Sequence, residues 1–186
     1  MKVMMMKLFF LLSLIFAPIG AEAKVIKKNI EYKSGNAVME GYLAYDDSKK
    51  EKAPGILIVH EWTGLNDYVK ARAEKIAQLG YVAFAVDIYG KGIRPTDRKD
   101  AGAEAAKYRN DDRKLFRERL LSGLLELKKN SHVDAKKIAA IGYCFGGTGV
   151  LELARSGADI LGVVSFHGGL SAANAGDAKQ IRAKVL

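Results

Sequence analysis

The sequence predicts an α/β sandwich: a mostly parallel sheet with helices packed on it and an antiparallel hairpin at its N-terminal edge. Two observations predict it. Four short runs, Gly55 to Val59, Tyr81 to Val86, Lys136 to Ile141 and Ile160 to Phe166, carry apolar residues in strand-length stretches. The first two are apolar on both alternating faces, as strands covered on both sides of a parallel sheet are. Segments of helical character separate these runs, which is the alternation that builds parallel strands through crossovers.

Taken in order, IKKNIEY and AVMEGYLAY, within Val25 to Tyr45, read as an antiparallel pair joined by Ser34-Gly35-Asn36. Asp46 to Lys52 is a charged connector before the buried strand Gly55 to Val59. A helix is expected from Tyr68 to Leu79, stopped by Gly80. The next strand ends in Asp87-Ile88-Tyr89-Gly90, and a long helical region follows. There Phe116, Leu120, Leu124 and Leu127 share one stripe, so that region packs on the sheet. Lys136 to Ile141 is a strand, Gly147 to Ser156 a helix and Ile160 to Phe166 a strand. Ala183-Lys184-Val185-Leu186 reads as the first residues of one more.

Residues 1–23 have the three parts of a secretory signal: Lys2 and Lys7, an apolar core from Leu8 to Phe16, and the small-x-small site Ala21-Glu22-Ala23. Cleavage after Ala23 leaves 163 residues, one domain spanning 24–186, and no second apolar run of membrane-spanning length. The expected destination is periplasmic or secreted, with no stable membrane anchor once the signal is removed. The formal charge of +9 becomes about +8 without the signal, yet the basic residues alternate with acids between Lys91 and Lys129. No basic block interleaves with aromatics, so no nucleic-acid partner is expected. Cys144 is the one cysteine and has no internal partner for a disulfide.

The strand ends carry His60-Glu61-Trp62, Asp87-Ile88-Tyr89, Gly142-Tyr143-Cys144 and Phe166-His167-Gly168, so polar and reactive groups converge on the sheet edge where such folds bind ligands. Cys144 lies at a strand-to-helix turn inside Gly142-Tyr143-Cys144-Phe145-Gly146-Gly147. A nucleophile on such a turn adopts a strained backbone, and side chains two residues away on either side would collide. Gly142 and Gly146 remove both. The turn aims the sulfur at the start of the next helix, whose unpaired N–H groups favour a thiolate. The glycines follow elbow spacing, not that of a dinucleotide loop, and no metal cluster is visible, so no cofactor and no metal are expected.

GYCFGG, with HEWTGLN and DIYG at two earlier strand ends, resembles the dienelactone hydrolase family of α/β-hydrolases from about Val25 onward. The resemblance implies an α/β-hydrolase-type sheet, a small ester or lactone as substrate, attack by Cys144 on its carbonyl, and contact of Glu61 with the resting thiol. A carboxylate there opposes ionisation and keeps the thiol quiet until substrate displaces it. The N–H of Phe145, next to the nucleophile, and by resemblance that of Trp62 are the expected oxyanion donors. Tyr143, His60, Asp87 and Tyr89 fit structural hydrogen bonding equally well and are not assigned to catalysis. Arg94, Arg98 and Arg109 lie where the family binds a substrate carboxylate, with no motif to choose among them.

An α/β-hydrolase nucleophile is followed by an acid and then a histidine. After Cys144 the acids are Glu152, Asp159 and Asp177 and the one histidine is His167, so that order fails. By resemblance the aspartate and histidine follow two further strands beyond Leu186, and the chain is expected to be a truncated form with its last strands missing. His167, near the site row but without an orienting carboxylate, is the substitute base. Three function classes remain: a secreted thiol hydrolase, expected not to turn over without the acid and histidine; a non-catalytic remnant or binding module on the same scaffold; and a basic protein for anionic surfaces.

Overall fold

The computed structural model describes residues 24–109 and 113–186; the expected signal at 1–23 lies outside the described residues. The elements are β1 (Val25–Ser34), β2 (Ala37–Asp46), β3 (Ala53–Val59), α1 (Asp67–Gln78), β4 (Val82–Val86), α2 (Arg98–Arg109), α3 (Lys114–Lys129), β5 (Val133–Tyr143), α4 (Phe145–Arg155), β6 (Gly162–Phe166), a 3₁₀ turn (Ala175–Gln180) and β7 (Lys184–Val185).

They form one sheet in the order β1-β2-β4-β3-β5-β6-β7. β1 and β2, and β2 and β4, are antiparallel; every other pair is parallel. The expected α/β-hydrolase-type architecture, hairpin included, is therefore the one present. Ser34 pairs with Ala37, which narrows the hairpin turn to Gly35-Asn36.

Two apolar layers hold the sheet. On one face α1 buries Val69, Ala73 and Ala77 against Tyr42, Ile58, Ala83 and Ala85. On the other, Phe116, Leu120, Leu124 and Leu127 of α3, with Phe145, Val150 and Leu153 of α4, cover Leu57, Val59, Phe84, Val86 and Ile138. The stripe read from the sequence is the stripe that packs. Burying each of these larger side chains is worth roughly 2 kcal/mol.

Several boundaries differ from the sequence reading, each for a local reason. β5 begins at Val133 because its register against β3 shifts between Pro54 and Gly55, where Ala135, Lys136 and Lys137 are exposed. That polar bulge hides the strand's start from an apolar pattern. The long helical region contains α2 and α3, and α3 starts after Arg113 at φ 55°. α4 begins at Phe145 instead of Gly147, so its first turn runs directly out of the cysteine. The 3₁₀ turn, unexpected from the sequence, is held by an Asn174–Asp177 capping box. No helix among the described residues is long and apolar enough to cross a membrane.

Candidate active site

β3 lies between β4 and β5, with β6 beyond, so the ends of four neighbouring parallel strands open on one edge. Cys144 joins β5 to α4 there with φ 54° and ψ −113°, a backbone that a side-chain-bearing residue adopts only under strain. Two hydrogen bonds hold it: Cys144 N–H donates to the Phe166 carbonyl (3.0 Å), and Thr148 N–H donates to the Cys144 carbonyl (3.2 Å).

The flanking glycines are needed for close approach. A Cβ on Gly142 would strike the Gly146 carbonyl, and one on Gly146 would strike the Val59 and His60 carbonyls. The elbow is thus pressed against the end of β3, where Val59 pairs with Gly142 and His60, Glu61 and Trp62 follow.

Phe145 is the first residue of α4, and neither its N–H nor that of Trp62 has a protein acceptor among the described residues. Its ring is buried in an aromatic cluster with His60, Tyr89, Tyr108 and Phe116. The Tyr89 hydroxyl donates to the Trp62 carbonyl at 2.8 Å, which fixes the loop that carries Trp62. Burial, with the Glu104 charge second, pushes the Tyr89 phenol above its ordinary range and keeps it a donor. Asp87 accepts from the N–H groups of Glu40, Tyr89 and Gly90 and shapes the DIYG turn.

His60, 1% exposed, accepts from the Ile88 N–H at Nε2 (3.2 Å), so its one ring hydrogen lies on Nδ1, 2.6 Å from the Glu61 carbonyl. Burial, opposed by that carbonyl and the Asp87 charge, pushes the ring from 6.5 down to about 4. The neutral ring is a structural link between β3 and β4. Its folded pKa lies below the unfolded one, so its contribution is complete above pH 6.5 and is lost as pH falls toward 4. Urea unfolding across that window should show a loss of about 3 kcal/mol, and His60→Gln should flatten the slope.

Glu61 is half-buried beside the elbow, and its carboxylate has no hydrogen bond or ion pair among the described residues, to the thiol or to any other group. Arg94 bonds the Leu65, Gly90 and Ile93 carbonyls and is committed to the loop. Arg98 opens α2. Arg109 lies over the Phe145 ring at 5.4 Å, which puts it at the elbow. Tyr143 stacks on Phe166 (4.6 Å) and carries the Arg72 guanidinium over its ring (5.4 Å). His167 is exposed at φ 44°, and no carboxylate bonds it among the described residues. No cluster of His, Cys, Asp and Glu among the described residues has the makings of a metal site.

Glu152, set aside from the sequence as a triad acid, has partners that the sequence does not announce. It is fully buried in α4 and ion-paired with Arg113, Arg117 and Arg155 at 2.7 Å each. An acid set in the apolar run Val150-Leu151-Glu152-Leu153-Ala154 was the signal available.

A family model described as "Dienelactone hydrolase family" matches residues 39–186. Among curated proteins, "Protein usf" of Aquifex pyrophilus is 29% identical over 150 residues, covering 75% of this chain and 60% of that protein. A "Putative carboxymethylenebutenolidase" of Aquifex aeolicus is 32% identical over 126 residues, 64% of this chain and 51% of that one. The chain thus matches between half and two-thirds of these relatives' lengths. Among solved structures, "m3DLH" shares 38% identity at TM-score 0.82, with 87% of this chain and 67% of that chain covered. The "Dienelactone Hydrolase-like Promiscuous Phospotriesterase P91 from Metagenomic Libraries" shares 37% at TM-score 0.82, covering 87% and 66%. The family model spans well over half of the chain, and the chain belongs to the dienelactone hydrolase family.

Proposed function

We propose that the chain is a hydrolase of small esters or lactones that works through an acyl-cysteine. The observation that carries the reading is Cys144 at φ 54° between β5 and α4, with the Phe145 N–H unpartnered beside it. The Cys144 thiolate adds to the carbonyl carbon, and the oxyanion takes hydrogen bonds from the Phe145 and Trp62 N–H groups. Collapse breaks the bond to the leaving oxygen, expels the alkoxide, which takes up a proton from solvent, and leaves a thioester on Sγ. Glu61, half-buried and with no side-chain partner among the described residues, is the residue that contacts the resting thiol in this reading.

Deacylation needs a base for water. Of the acids and the histidine that follow Cys144, Glu152 is saturated by arginines, Asp159 is exposed beside Lys128, Asp177 pairs with Arg117, and His167 has no orienting carboxylate among the described residues, while Glu61 is taken up with the thiol in this reading. Residues 24–186 mixed with p-nitrophenyl acetate should therefore release about one equivalent of nitrophenolate. Turnover after it should be at least about 100-fold slower, the typical worth of a positioned base. Sustained turnover at the burst rate, lost in His167→Gln, would make His167 the base and overturn this account of deacylation. We also propose that residues 1–23 export the chain to the periplasm or beyond; a periplasmic product beginning at Lys24 is the expected result, and a cytoplasmic one retaining Met1 contradicts it.

A further inference from the structure

Burying a carboxylate among three guanidinium groups is seldom the most stable way to fill a core, because desolvating the charges offsets much of their attraction. Such a cluster is better explained by what it holds in place. Around Glu152 the arginines reach outward to one segment. Arg155 donates to the Leu170 carbonyl (2.7 Å) and the Ser171 carbonyl (3.2 Å). Arg113 donates to the Ser171 hydroxyl (3.0 Å), and Arg117 pairs with Asp177 (2.5 Å).

The segment clasped in this way follows β6, and its beginning touches the elbow. Gly168 packs on Gly147 and Thr148 so closely that a Cβ would not fit. The Gly169 N–H donates to Thr148 Oγ1 (2.9 Å), and the Ser165 hydroxyl donates to the Gly147 carbonyl (3.0 Å). The Cys144 N–H itself donates to the Phe166 carbonyl. A strained backbone persists only where its surroundings over-determine it.

We infer that Glu152 is a positioning residue for Cys144: it orients Arg113, Arg117 and Arg155, which hold Leu170 to Asp177, which in turn keeps Phe166 to Gly169 against the first turn of α4 and the thiol at its strained angle. The inference rests on Cys144 being the reacting group and goes beyond that reading by naming what sustains its geometry.

The test uses Arg155→Lys, which keeps a positive charge on Glu152 but loses the fork to the two carbonyls. Two readouts are followed with thermal unfolding as a control: the nitrophenolate burst from p-nitrophenyl acetate, and alkylation of Cys144 by iodoacetamide at neutral pH. In the folded variant the burst rate constant at saturating ester should fall about tenfold, since small misplacements of a reacting atom are costly, while the half-saturating concentration stays unchanged. Alkylation should fall with it, because the sulfur leaves the position at the start of α4 that the strained turn gives it. Ser171→Ala, which leaves every charge in place, should move both rates the same way by less.

A lower melting temperature with both rates unchanged would overturn the inference and leave the clasp a packing feature. If the wild type gives no burst but is alkylated, and Arg155→Lys slows alkylation, the hydrolase reading fails while the positioning role stands. Unchanged alkylation in both variants overturns the positioning role whatever the burst does.

Discussion

Gly146→Ala should cost about 3 kcal/mol or more and yield little folded protein. The added methyl would lie 2.7 Å from the His60 carbonyl and closer still to that of Val59. These are backbone atoms at the end of β3, the strand between β4 and β5, and they cannot retreat without breaking the Val59–Gly142 pairing. Overpacking against side chains typically costs 1–3 kcal/mol because side chains rotate away; here nothing does. Gly176→Ala is the control, since a Cβ there meets nothing within 4 Å, and its effect should stay within about 0.5 kcal/mol. Urea midpoints of the two variants decide the matter. Equal midpoints would mean that the elbow is not seated on β3 as described.

Cys144→Gly should abolish the burst and at the same time stabilise the fold by about 1 kcal/mol. Without Sγ no thioester forms, and the burst falls to the uncatalysed background. The gain comes from φ 54° and ψ −113°, which glycine adopts freely and cysteine does not. Relief of roughly 1–3 kcal/mol of strain is offset in part by glycine's larger entropy in the unfolded chain. A glycine variant less stable than wild type would show that the cysteine is held by its packing and carries no stored strain. A cysteine kept at a cost in stability is expected of a residue that works.

Much of this was legible in the sequence because it depends on short-range patterns. The buried strands, the α3 stripe and the pairing of Gly142 with Gly146 around the turn all follow from which side chains fit where. What escaped depends on contacts between distant segments. Arg113 and Ser171 meet across 58 positions, and Arg117 and Asp177 across 60, so no local pattern announces them. His60 and Asp87 stand among the site clusters in sequence, but their surroundings assign them to structure: His60 is sealed between the Glu61 carbonyl and the Ile88 N–H, and Asp87 is spent on three backbone N–H groups. The lone acid in α4 was visible, but its three partners were not.

In the proposed reaction Cys144 is the group that becomes acylated. Residues 24–186 are mixed with p-nitrophenyl acetate, quenched in acid within the burst, digested with trypsin and weighed. The expected product carries one acetyl per chain, on the peptide Ile138–Arg155 as a thioester at Cys144 that hydroxylamine removes. Acetyl spread over lysines, placed stoichiometrically on another residue, or absent while nitrophenolate is released would contradict it.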